Sequence, residues 1–136
     1  MVSCGGPEYQ TSYYKAVSAD QKDTALLKLL TSETAFYGNY QIKYDDKSID
    51  DGSISGHING DTLIGKFSYL SRDRVKSTRP IAFLKTGEKL RLGTGKTGTY
   101  MGLNVYLFGS VTFTDSLLQF HPIEERELVA LRDTVR

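Results

Sequence analysis

Four carboxylates fall within the stretch Asp45-Asp46-Lys47-Ser48-Ile49-Asp50-Asp51-Gly52. Oxygen ligands this dense suit calcium. The EF-hand spacing fails, because the first ligand, five positions before the loop glycine, would be Lys47. A solvated acidic loop is therefore expected. A basic cluster follows at Arg72, Arg74, Lys76 and Arg79, with Asp73 among them. Forked arginine donors could hold an anion or a carboxylate at the mouth of a barrel. The simpler expectation is a second solvated loop that balances the first.

Other chemistry-bearing residues are sparse. The two histidines, His57 and His121, are far apart in the chain. His57 alternates with Gly56 and Ile58 and His121 precedes Pro122, so both read as surface or strand-end residues rather than a metal pair. Gly93-Thr94-Gly95-Lys96-Thr97-Gly98 contains Gly-Lys-Thr, but the first glycine of a phosphate-binding loop would fall at Leu90. Ser12-Tyr13-Tyr14-Lys15 matches Ser-x-x-Lys without its companion motifs. Gly-x-Ser-x-Gly does not occur. No catalytic residue, metal site or cofactor is expected.

These residues have to be held by a modest scaffold. At 136 residues the chain makes one domain, large enough for a core without metals or disulfides. Seventeen basic and sixteen acidic residues leave a net charge of +1, which gives no global attraction to nucleic acid. Nine Tyr, six Phe and thirteen Gly against three Pro and no Trp tilt the composition toward pleated surfaces and tight turns.

The pattern of elements follows. Residues 1–17 are polar and Tyr-rich without clear period and read as a flexible tether, leaving 18–136 as a single domain. Ser18-Ala19-Asp20-Gln21 matches a capping box, and Ala25, Leu26, Leu29 and Leu30 follow at helical spacing, which predicts a short helix over 19–31. From Phe36 the period becomes two. Strands are expected at Tyr40–Tyr44, Ile54–Ile58, Leu63–Tyr69, Arg79–Lys85, Leu90–Thr94, Val105–Phe113 and Leu117–His121. Hairpin turns fall at Asn59-Gly60, Thr86-Gly87-Glu88 and Thr114-Asp115-Ser116. A helix is expected from Ile123 to about Asp133, with acids in its first turn. About seven antiparallel strands must hide their edges. The expected fold is thus all-β, an up-and-down meander closed or partly open as a barrel, with a two-sheet sandwich as the alternative. Phe67, Tyr69, Phe83 and Phe113 would point inward, as would Gly56 and Gly65.

Cys4 is the single cysteine, so no disulfide forms within the chain. Val2-Ser3-Cys4-Gly5 resembles the cleavage end of a bacterial lipobox, with Met1 where Leu is usual. The basic and apolar regions of a signal peptide would lie upstream of it. Cys4 is then the expected lipidation site, and the lipid would anchor the domain to a membrane.

Three stretches carry a wider resemblance: Phe36-Tyr37-Gly38-Asn39-Tyr40, then Gly56-His57-Ile58-Asn59-Gly60-Asp61-Thr62-Leu63-Ile64-Gly65-Lys66-Phe67, then Arg79-Pro80-Ile81-Ala82-Phe83-Leu84-Lys85. Over roughly 36–120 the chain resembles a group of small secreted lipoproteins from Bacteroidota with a lipocalin-like barrel. The resemblance implies a place in the bacterial cell envelope, periplasmic or anchored at the outer membrane. It implies no catalytic residues.

The expected function is therefore an envelope-associated binding domain without catalysis. It would take a small apolar or anionic ligand, or an envelope protein partner, and no nucleic acid. Phe67, Tyr69, Phe83, Phe113, Arg72, Arg74 and Arg79 are the candidate ligand-binding residues. A hydrolase built on the loop Asp and Arg residues, and a purely structural or inhibitory module, are the alternatives.

Overall fold

The computed structural model describes residues 9–18, 22–46, 48–70, 74–101, 103–106, 111–113 and 119–135. Its elements in chain order are β1 (Gln10–Val17), β2 (Thr24–Thr31), β3 (Ala35–Lys43), β4 (Ile49–Asn59), β5 (Thr62–Leu70), β6 (Lys76–Thr86), β7 (Lys89–Leu92), β8 (Thr97–Tyr100), β9 (Leu103–Tyr106), β10 (Gln119–Ile123) and α1 (Glu125–Val135).

Alternation along the strands sets the architecture. On β5, Leu63 and Phe67 are buried, while Ile64 and Lys66 between them are exposed. Direct cross-strand partners share a face. Leu63 pairs with Phe83 and Phe67 with Arg79 on β6, and Ile54 on β4 pairs with Phe67. Carried around the sheet, this register buries one side-chain set and leaves Lys15, Lys28, Ser53, His57 and Lys66 on the other. The sheet closes in the order β1-β10-β7-β6-β5-β4-β3-β2, every pair antiparallel. Closure removes the free edges that an open meander would expose. The interior is apolar and aromatic, with Tyr40, Phe36, Phe67, Phe83 and Phe120 its largest fully buried side chains. The outer wall mixes polar groups with exposed apolar side chains such as Tyr37, Ile64 and Leu70. Among the described residues no helix is long and apolar enough to cross a membrane.

Two features let a small barrel hold so many rings. Gly56 and Gly65 are direct partners on β4 and β5. A Cβ on Gly56 would fall on the Ile64 carbonyl oxygen, and one on Gly65 on that of Ser55. The two backbones therefore approach more closely than any other residue allows. Rings also pack in tilted and edge-on pairs: Tyr40 lies 4.9 Å from Phe67 and 5.9 Å from Phe120, centroid to centroid, and Phe83 lies 5.5 Å from Phe120. Such pairs add to the apolar burial itself.

One end of the barrel is stitched shut by its turns. Ile58 N donates to Thr34 O at 2.9 Å, and Lys85 N donates to Asp61 O at 2.8 Å. Gly60 and Gly87 supply the positive φ of 64° that their turns require. At the other end stand the β1–β2 and β3–β4 connections and the segment after β7. There β8 and β9 form a separate two-stranded sheet, and Thr94 bridges Thr112. The helix α1 lies outside the wall and buries Leu128.

Several expectations are corrected. The helix over 19–31 is absent from the described part of that stretch; Thr24–Thr31 is β2. Ala25, Leu27 and Leu29 face inward at period two, and Leu26 is buried on the opposite face, where it and Leu128 line the same small crevice. An apolar strand with both faces covered mimics helical spacing. The tether does not reach Val17: Gln10–Val17 is β1, with Tyr14 and Ala16 buried, and its pairing with β10 closes the barrel. Asp50, Asp51 and Gly52 belong to β4 rather than to a loop. Pro122 does not end the last strand, since it pairs with Tyr14 inside β10. Of the strand expected over Val105–Phe113, Val105 and Tyr106 belong to β9, Thr112 makes an isolated bridge to Thr94, and 107–110 lie outside the described residues. Cys4, Arg72 and the turn at Thr114-Asp115-Ser116 lie outside the described residues.

Candidate functional site

The open end carries a cavity of about 610 Å³. It exists because β7 is short. Strand β7 pairs with β6 only over Phe83–Thr86, so among the described residues no strand pairs with the first half of β6 on that side. The chain after β7 lies there instead: Gly93 N donates to Ala82 O at 2.7 Å, and Tyr106 comes close to Gly93 O through its hydroxyl at 3.5 Å. The cavity walls include Ile42, Ile81, Leu92 and Pro80, and its polar lining includes Tyr44, Arg79 and Tyr106.

Arg79 is the centre of this site. Its partner on β5 is the buried Phe67, so the register turns the guanidinium inward. The guanidinium carbon sits 5.3 Å from the Phe67 ring centroid and 5.0 Å from that of Tyr69. Those two rings are stacked at 4.7 Å, and the cation rests on them by cation–π attraction. Arg79 is coupled electrostatically to the Tyr44 hydroxyl, which donates to Asp50 Oδ2 at 2.8 Å. Among the described residues no carboxylate lies within ion-pair distance of Arg79.

The electrostatics keep this arginine charged. Burial pulls its pKa down, but the Tyr44 hydrogen bond and the facing tyrosines more than offset that, so the pKa stands above its ordinary value. Tyr44 is held protonated by burial and by its bond to Asp50. Burial raises Tyr106 and Tyr40 likewise, against the pull of Arg79. Tyr40 forms part of the cavity floor, and its hydroxyl is fully buried with no hydrogen-bond partner among the described residues. Buried donors are nearly always paired, so this one marks an incomplete arrangement.

The rim is ordered by short bonds. Ser18 N donates to Asp23 O and Asp23 N to Ser18 Oγ, closing the β1–β2 connection. Asp45 N donates to Asp23 Oδ1 at 3.0 Å, which ties that connection to the next. Asp46 accepts from Ser48 N at 2.9 Å within its own turn. The four acids read as one cluster are thus divided among a turn, the bond to Tyr44 and the exposed Asp51.

The structure distributes the candidate residues unevenly. Arg79 lines the cavity. Tyr69 and Phe67 form the platform beneath it, Phe67 from within the core. Phe83 is a core residue. Phe113 is half-buried against Gly93, where its Cε1 lies 2.6 Å from the place a Cβ would occupy. Arg74 is exposed, with φ of 62°, and does not line the cavity. Arg72 and Cys4 lie outside the described residues. His57 and His121 are both exposed, on β4 and β10, which are not neighbours in the barrel.

Sequence reasoning missed Tyr40, Tyr44 and Tyr106 as site residues. The signal was present for the first two: Tyr40, Ile42 and Tyr44 share a face, and all three border the cavity. A second hollow of about 760 Å³ lies on the outer wall between β4–β6 and β9. Its most polar side chains, His57 and Lys66, are exposed, so it lacks the buried convergent polar groups of the barrel mouth. No protein-family model, curated protein or solved structure matches the chain.

Proposed function

We propose that this chain is a non-catalytic binding domain that takes a small molecule into the open mouth of its barrel. The observation that carries the reading is Arg79: a charged guanidinium held inside an apolar barrel, on an aromatic platform, beside a cavity of about 610 Å³. A cavity of this size with a few converging polar groups is the usual form of a small-ligand site. Catalysis is not favoured by the same groups. Arg79 stays charged and Tyr40, Tyr44 and Tyr106 stay neutral near pH 7, so none is poised to exchange a proton there.

The test is a saturable ligand response. The fluorescence of 1-anilinonaphthalene-8-sulfonate should rise on binding with one-to-one stoichiometry. Leu92→Trp, which fills the cavity wall, should abolish the rise while the far-ultraviolet circular dichroism stays unchanged. An unsaturable response, or one indifferent to Leu92→Trp, would refute the reading.

The setting proposed for this domain is the bacterial envelope, with Cys4 as the lipid attachment point. Its support is the lipobox-like Val2-Ser3-Cys4-Gly5 and the resemblance to Bacteroidota lipoproteins. Radiolabelled palmitate should enter the protein expressed from its complete gene, and Cys4→Ala should prevent it. Unchanged labelling in that variant would remove the anchor.

A further inference from the structure

We infer that the ligand of the mouth site is a monocarboxylic acid with an apolar body, bound head-first against Arg79 with the Tyr40 hydroxyl as second donor. This rests on the reading of the mouth as a ligand site and names the class of molecule it takes.

Arg79 sets the charge and the shape. Guanidinium presents five N–H donors in a planar fork, which matches the two oxygens of one carboxylate. Among the described residues Tyr44 is the hydroxyl that Arg79 engages most strongly, and Tyr44 itself donates to Asp50. Donors therefore remain for an incoming anion. Asp23 also borders the cavity, so a second negative charge on the ligand would meet repulsion. That favours a monoanion over a phosphate dianion.

Tyr40 supplies the independent observation. Its side chain is fully buried, it forms part of the cavity floor, and its hydroxyl has no partner among the described residues. Both residues border the same cavity, and the Arg79 charge pulls the Tyr40 pKa down against the effect of burial. A carboxylate brings two acceptors at once, one for Arg79 and one for this hydroxyl, which it reaches by displacing the side chains that shield it. Above the head, Ile42, Ile81, Leu92 and Pro80 offer apolar wall to the rest of the molecule. A straight-chain acid and an aryl acid share this chemistry, and the probes separate them.

Isothermal titration calorimetry of the full chain with octanoate, octanamide, 3-phenylpropionate and 3-phenylpropionamide tests the inference. At least one acid should bind about tenfold or more tighter than its own amide, and which acid does so tells the straight-chain from the aryl body. Arg79→Met should bring acid and amide level. Arg79→Lys, which keeps the charge and loses the fork, should fall between. Tyr40→Phe should weaken the acid about fivefold while its thermal midpoint stays at or above that of the parent. Amides that bind as tightly as acids would overturn the carboxylate assignment and leave the mouth site standing. So would an acid preference that survives Arg79→Met. Failure of all four probes to bind would overturn both.

Discussion

Removing one oxygen from the barrel floor should make the protein more stable. Tyr40 is 1% exposed, and its hydroxyl has no hydrogen-bond partner among the described residues. A buried hydroxyl without a partner costs about 1–3 kcal/mol relative to one left in water. Tyr40→Phe removes that cost and leaves the ring contacts with Phe67, Phe83 and Phe120 in place. The void left by one oxygen is small, worth about 0.3 kcal/mol at the cost per volume measured for core cavities. The balance is a stabilisation of about 1 kcal/mol, or a rise of about 3–5 °C in the thermal midpoint for a domain of this size. Urea unfolding followed by circular dichroism measures it directly, with an unchanged slope guarding against altered compactness. A loss of 1 kcal/mol or more in Tyr40→Phe would refute the reasoning, because it would mean that the hydroxyl makes a bond worth keeping. A gain in stability coupled to weaker acid binding is the pattern expected of a residue kept for function.

Alkaline pH should expose the same residue. Burial raises the Tyr40 pKa in the fold above its ordinary value of 10.0, so this group leaves stability independent of pH below 10 and destabilises the fold increasingly as pH rises beyond it. Unfolding free energy should fall more steeply above pH 10 in the parent than in Tyr40→Phe, the difference approaching about 1.4 kcal/mol per pH unit from this one group; parallel profiles would contradict the burial. Gly65→Ala should destabilise by about 3 kcal/mol, since its Cβ would fall on the Ser55 carbonyl oxygen; chemical denaturation reads it, and a neutral result would mean that β4 and β5 are further apart. Leu128→Ala should cost about 2 kcal/mol, because Leu128 is 4% exposed and lines a crevice with Leu26 and Gln41 outside the barrel wall. A cost below about 0.5 kcal/mol in the same assay would show that α1 does not dock there.

The central hairpins were legible because their turns and alternation agree. Asn59-Gly60 fixes the β4–β5 register, and Ile54, Ile58, Leu63 and Phe67 repeat at period two on both sides of it. The two N-terminal strands were not legible, for opposite reasons. In β1 the inward residues include Ser12 and Ala16, too small and too polar to mark a face. In β2 the residues are apolar on both faces, because α1 covers Leu26 from outside. That cover comes from the other end of the chain, and no local pattern announces it. The site shows the same division. Arg79 stood out as a basic residue but was grouped with Arg72 and Arg74 by proximity in sequence. Strand phase, not proximity, separates it, since it alternates with Ile81 and Phe83 and shares their inward face. The Tyr44–Asp50 link joins the residue after β3 to β4 across a turn, a contact that only the three-dimensional register creates.

Chemical-shift mapping of the backbone amides during titration with octanoate is the most direct test of a ligand site in the barrel mouth. Perturbations should gather at Tyr40–Tyr44, at Arg79–Ile81 and at Leu92–Gly95, and should saturate together with one dissociation constant. Shifts confined to the outer wall around His57, Ile64 and Lys66, or scattered without saturation, would contradict it.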